Sequence, residues 1–219
     1  MNDIRKVIAI IGGTGGLGSA LAFRLGNAGY KILIGSRNNE KACISAEKIN
    51  DRLGKEIAIG YNNREAAKLA EIIVLTIPFS NHNEIIEEVK EEVQGKIVVD
   101  TTVPLVPPKV SRVHLPSSGS IAKLAQEKLG QNVRLVSAFQ NVAATSLDSE
   151  DNVKGEVLVC GNNLDARSEV ISLIESIGLK GWHAGPIDNS VVTESLTPVL
   201  IFLNKRYKLS GSGISIVEH

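Results

Sequence analysis

The 219-residue chain is short of the residues that staple, stack or anchor a fold. It has two cysteines, Cys43 and Cys160, too few for a disulfide framework or a cysteine-based metal site, so both read as reduced thiols. Aromatic side chains make up 4%, which leaves the core to aliphatic residues. Neither charge is in excess: 24 Lys and Arg offset 24 Asp and Glu. The pI of 6.9 gives no field to draw in a polyanion, which argues against nucleic acid as a partner. Apolar runs such as 199–203 fall far below the roughly 18–20 residues of a bilayer span. The opening MNDIRK has no apolar h-region or small-residue cleavage site. These absences imply no membrane contact and a cytoplasmic location.

What is present is an alternation. Continuously apolar, β-branched runs at 6–11, 31–35, 72–77, 97–100, 133–138 and 157–160, with a weaker one at 57–59, read as strands covered on both faces. Between them, helical spacing predicts helices over 17–28, 40–53, 64–69, 83–92, 121–129 and 166–177. In the first, Leu17, Leu21 and Leu25 form a stripe, and Gly29 supplies a left-handed stop. Strand and helix in this order make an α/β doubly wound parallel sheet. Residues 190–209 are apolar nearly all round, so the helix expected there must be covered, and a second copy of the chain is a suitable lid; Pro198 should kink or break it. The Pro-rich segment 104–120 is either a binding loop or a plain connection.

Chemistry enters at Gly12–Gly18, GGTGGLG, which contains G-x-G-x-x-G at Gly13, Gly15 and Gly18 between a predicted strand and a predicted helix. The first glycine permits the turn, the second lets backbone approach a pyrophosphate, and the third lets helix and strand pack closely. The helix start then binds the anion, which makes Gly13, Thr14, Gly15, Gly16 and Leu17 candidate cofactor contacts of a Rossmann-type domain. At the end of the second strand an NAD site usually places Asp or Glu on the ribose 2′-hydroxyl. This chain has Ser36 and Arg37, with Lys41 a turn beyond, a set that suits a 2′-phosphate and therefore NADP(H).

With these residues in view, the sequence resembles the NADPH-dependent reductases of the deazaflavin coenzyme F420. The resemblance rests on GGTGGLG, GSR followed by Lys41, VLTIP at 74–78, KIVVD at 96–100, LVSAF at 135–139, VLVCG at 157–161, AGP at 184–186 and NSVVTESLTPVL at 189–200. It implies a Rossmann domain over 1–140 and a small, mainly helical C-terminal domain over 141–219, with nicotinamide and deazaflavin facing each other between them and hydride passing directly. It also implies that Thr76, Pro78 and Phe79 border the nicotinamide, with Ala138 beside it, and that Gln140, Ser195 and Thr197 hold the deazaflavin. Three positions depart from the family pattern. Gln140 replaces a histidine, Val191 a basic residue, and Asn38 a second arginine next to Arg37.

No catalytic residue and no metal site is expected. The chain shows no Ser/His/Asp or Cys/His set, and His82, His114 and His183 share no ligand spacing. Transfer between two carriers needs neither, because the carriers hold the chemistry and the protein supplies orientation. Asp100 either orients a substrate or caps the loop after its strand, and Ser120 is an N-cap or a phosphate contact. Glu194 is expected to pair with a cation. Lys205, Arg206 and Lys208 form a solvated face or an anchor for an acidic cofactor tail. The altered pocket leaves two further readings open: an NADPH-dependent reductase of another acceptor (a carbonyl, imine, flavin or chelated metal), and a non-catalytic NADPH-responsive regulator.

Overall fold

Two faces of one sheet explain why its strands read as unbroken apolar runs. In the computed structural model, which describes residues 5–148 and 155–218, Ile8 and Ile10 point into one core and Ala9 and Ile11 into another. Residues 1–4, part of the opening segment read for a signal peptide, lie outside the described residues. The order is β1 (Val7–Ile11), α1 (Gly16–Asn27), β2 (Lys31–Ser36), α2 (Asn39–Leu53), β3 (Ala58–Asn62), α3 (Asn63–Leu69), β4 (Ile72–Leu75), α4 (His82–Val89), β5 (Ile97–Asp100), α5 (Ile121–Leu129) and β6 (Arg134–Ser137). The six strands pair in the order β3-β2-β1-β4-β5-β6, all parallel. The order reverses direction at β1, so a crevice opens between the carboxyl ends of β1 and β4, where such sheets bind ligands.

Local chemistry sets the ends of the helices. Gly29 (φ +93°) and Gly54 (φ +61°) take the left-handed conformation that stops α1 and α2. Asn38, Asn62 and Ser120 cap α2, α3 and α5, each accepting a backbone N–H three residues on. Capping of α2 gives Asn38 a structural reason at the position where the family pattern has arginine.

The C-terminal part adds α6 (Ala144–Asp148), β7 (Glu156–Val159), α7 (Leu164–Ser176), β8 (Lys180–His183) and α8 (Ser190–Tyr207). β7 does not extend the main sheet in parallel. It pairs with β8 in a separate two-stranded parallel sheet, and the residue after it, Cys160, makes one antiparallel bridge to Ser137 on the edge strand β6. β8 reads KGWH, with no apolar pattern to reveal it, and α6 is too short to show a period. The expected break at Pro198 does not occur: α8 runs through it, because the lost N–H is offset by burial of Thr193, Glu194, Pro198 and Leu200. The cover expected for α8 is one-sided, since Val192 and Phe202 remain 62% and 54% exposed.

Candidate functional site

The crevice is a cleft of about 750 Å³ that runs from the glycine loop and β2 to Gln140 and Thr197. The glycines divide into two kinds. Gly12 sits at φ +83°, and a Cβ on Gly18 would stand 2.6 Å from Thr76 Oγ1 and 2.7 Å from Gly12 O, so these two let loop, strand and helix close on one another. A Cβ on Gly15 would meet only Gly12 O, at 3.4 Å, and one on Gly16 only Ala144 Cβ, at 4.0 Å. Both line the cleft, which leaves bare backbone facing it. α1 starts there with no side-chain cap and no acidic residue in its first turn. Its leading N–H groups and positive dipole end are therefore available to an anion.

Thr14 and Leu17 share that wall, while Gly13 is buried beneath it. Ser36 and Arg37 line the cleft at the carboxyl end of β2, and Arg37 lies 3.8 Å from Glu84 on α4 across the rim. Lys41 opens instead onto an adjoining depression of about 430 Å³ with Thr14, Lys48 and Arg52. Thr14 borders both spaces, so Lys41 stands around a corner from Arg37.

At the β5 end the walls are Thr76, Pro78, Phe79, Thr101, Thr102 and Gln140. Phe139 also lines the cleft and holds φ +72°, a strained value for an aromatic residue and one that sequence does not reveal. The next residue is pinned at three points. Gln140 Nε2 donates to Asp100 O at 2.8 Å and to Ser137 Oγ at 2.9 Å, and Gln140 O accepts from Thr197 Oγ1 at 2.6 Å. A backbone carbonyl only accepts, so the amide's orientation is settled and Oε1 is left over. It is buried without a partner among the described residues, as is the hydroxyl of Thr102. Two orphaned polar atoms on residues that line one cleft suit a ligand bearing ring N–H and C=O groups.

Behind this wall lies a layer of buried polar side chains. Asp100 is 1% exposed and does cap the following loop, since Oδ1 accepts Thr102 N–H at 2.9 Å; Oδ2 meets His82 Nε2 at 2.7 Å. Among the described residues Glu194 has no ion pair of the expected kind. Its carboxylate accepts the N–H groups of Ile121 and Ala122 at 2.8 and 3.0 Å, because α8 packs against the open start of α5. Burial pushes its pKa up to about 7, against the two N–H bonds that favour the charge; Asp100 raises it and His82 lowers it to a smaller degree. The hydroxyl of Ser120 accepts from Lys123 N–H and Ser190 Oγ, which makes it a cap with no free face. Burial likewise pushes the Cys160 thiol up to about 11, away from reactivity.

Of the residues singled out in sequence, Ala138 is fully buried below the cleft floor, while Ser195 and Val191 sit half-buried on α8 outside its lining. His114 and His183 are exposed, as are Lys205, Arg206 and Lys208. The long irregular segment does reach the cleft, through Leu105, Pro107 and Val110. No group of three or more His, Cys, Asp or Glu that could hold a metal occurs among the described residues. No helix among them is long and apolar enough to cross a membrane.

Residues 7–104 match the family model for the coenzyme F420-dependent NADP oxidoreductases. The chain is 42% identical over 220 residues to the F420-dependent NADP reductase of Methanocaldococcus jannaschii, covering 96% of this chain and 98% of that one. It is 34% identical over 219 residues to the enzyme of the same name from Methanothermobacter marburgensis, with coverage of 96% and 98%. Its fold superposes with a TM-score of 0.84 on a solved chain from Arthrobacter sp. FB24 at 22% identity, covering 97% of this chain and 100% of that one. Bare backbone at a helix start, Arg37 in place of an acidic residue, and 42% and 34% identity over nearly the whole length of these relatives converge: the chain belongs to the family of F420-dependent NADP reductases.

Proposed function

We propose that this protein transfers hydride between NADP(H) and the deazaflavin coenzyme F420. The observation that carries the reading is that a single cleft joins the glycine loop and Arg37 at one end to Gln140 and Thr197 at the other. When both carriers are bound, C4 of the reduced nicotinamide supplies the hydride and C5 of the deazaflavin receives it, with a solvent proton completing the reduced ring.

The chain's own residues then bind and orient. The α1 start and the backbone of Thr14 to Leu17 take the pyrophosphate, and Ser36 and Arg37, with Lys41 around the corner, take the 2′-phosphate. Thr76 and Pro78 border the nicotinamide on one side, and the strained turn from Ala138 to Gln140 on the other. Gln140 Oε1 takes a ring N–H of the second carrier, with Thr197 steadying Gln140 through its carbonyl, while Ser195 stays outside the cleft lining. Such positioning alone lowers the barrier, and no protein acid or base is required.

Residues 1–140 form the NADP-binding domain in this reading, and 141–219 complete the acceptor end. Two copies associate through the exposed apolar face of α8, where Val192, Val199 and Phe202 stand in the open. Free thiols at Cys43 and Cys160 support work in the reducing cytoplasm. The partner is a small redox carrier, with no nucleic acid and no membrane involved.

The test is loss of the nicotinamide absorbance when the protein is mixed with NADPH and each of several acceptors. F420 should be reduced one for one with NADPH oxidised, and NADH should serve far less well. Turnover with a carbonyl, imine, flavin or chelated metal but not with F420 would assign the pocket to another acceptor. That second reading is motivated by Gln140 and Val191, the two acceptor-end positions that depart from the pattern of the family the sequence resembles.

A further inference from the structure

The pyrophosphate and 2′-phosphate readings use the glycine loop, Ser36 and Arg37, and leave Asn63, Asn81 and Ile85 lining the same end of the cleft without a role. Asn63 is the first residue of α3, directly after β3, and is 2% exposed. Its Nδ2 donates to Glu88 Oε2 on α4 at 3.0 Å. A carboxylate only accepts, so this bond settles which end of the amide is which. Oδ1 is thus an acceptor, buried beside Gly35 at the end of β2, with no donor among the described residues against it. Asn81 differs, since its Oδ1 already takes the Ser80 hydroxyl at 3.1 Å. A native buried acceptor without a partner calls for an explanation, and a ligand donor is one.

The dinucleotide itself points to the donor. Its 2′-phosphate and its base are substituents of one ribose, so a phosphate at Ser36 and Arg37 places the base within a sugar's width of them. The loop from Gly12 to Leu17 takes the opposite, pyrophosphate side of that ribose. The wall that remains for the base is Asn63, Asn81 and Ile85, with Ile77 nearby. Ile77 and Ile85 are buried apolar side chains suited to a flat ring, and the Arg37 guanidinium at the rim is a planar cation of the kind that stacks on one.

We infer that Asn63 is a specificity-determining residue that reads the adenine base, its Oδ1 accepting a hydrogen bond from the exocyclic 6-amino group. The inference rests on the NADP(H) reading of the cleft. A purine with a 6-oxo group sets one acceptor against another there and is disfavoured, because a polar group built to receive a donor is left opposed.

The experiment is a fluorescence titration of the full chain with NADPH and with its deaminated hypoxanthine analogue. The unmutated protein should bind NADPH at least about fivefold more tightly than the analogue. Asn63→Leu and the smaller Asn63→Ser, each verified as folded by its melting curve, should bind the two nucleotides alike, at or below the analogue's affinity for the unmutated chain. Equal binding of both nucleotides by the unmutated protein overturns the inference alone, and needs no variant to fold. So does a preference for NADPH that survives in either variant. Failure of NADPH and the analogue to bind at all overturns the dinucleotide reading and this inference together.

Discussion

Two glycines of one motif do opposite jobs, and single methyl groups separate them. At Gly18 a Cβ would be driven to within 2.7 Å of backbone, so Gly18→Ala should cost about 1–3 kcal/mol and lower the melting temperature by roughly 3–10 °C. At Gly15 the same methyl meets only Gly12 O at 3.4 Å and otherwise projects into the cleft. Gly15→Ala, and more so Gly15→Val, should melt within about 2 °C of the unmutated chain yet bind NADPH at least about tenfold more weakly in a titration. A second residue, Arg37, is 60% exposed and is paired at 3.8 Å with the exposed Glu84, so it is available to a 2′-phosphate. Charge-assisted bonds of that kind contribute about 1.5–3 kcal/mol, and Arg37→Glu should lower the preference for NADPH over NADH by about ten- to a hundredfold. Equal dissociation constants for NADPH and NADH in the unmutated protein would refute that assignment.

Among the elements, α8 and α5 are joined by a buried carboxylate whose titration should be visible. The Glu194 carboxyl is raised from 4.5 to about 7, so the folded state holds a proton that the unfolded state releases between those values. Its contribution to stability is complete below about pH 4.5 and is lost as the pH rises through about 7. Relative to Glu194→Gln, the unmutated chain should lose on the order of 2–3 kcal/mol between pH 4.5 and 8, measured as melting temperature against pH for the two proteins. Parallel curves would show that Glu194 does not titrate in the folded state. None of this was legible in the sequence, where Glu194 reads as a helix residue awaiting a cation, because its partners are the backbone N–H groups of a helix 72 and 73 residues away in the chain. The same limit hides β8, held in register by β7 without an apolar pattern of its own, and the strained φ of Phe139. What the sequence does carry is whatever depends on near neighbours: the strands β1 to β6 by their apolar runs, the stops at Gly29 and the Ser120 cap, and the glycine loop by its place between strand and helix. The outer end of the cleft is legible for that reason. Its β5 end is assembled from β4, β5, the turn after β6 and α8, so Thr102, Phe139 and the pinned orientation of Gln140 come only with the fold.

For the whole molecule, one helix face is left uncovered. Val192, Val199 and Phe202 on α8 are 62%, 45% and 54% exposed, while the opposite side of the same helix is buried against the chain. Burial of such a face is the usual source of association between copies. Sedimentation of the unmutated protein should give a dimer, and Phe202→Glu should shift it to monomer at micromolar concentration without loss of helix content. A monomeric unmutated chain would leave α8 with no second copy to cover it. Catalysis asks less than the assembly does: a cleft that holds two carriers close enough for hydride to pass directly. That proximity is tested most directly by a single turnover with NADPH deuterated at the transferred position of C4, in ordinary water, with mass analysis of the reduced deazaflavin. One deuterium per molecule of deazaflavin reduced is the expected result, whereas NADPH that binds but leaves F420 unreduced, or reduced without the label, would contradict direct transfer in this cleft.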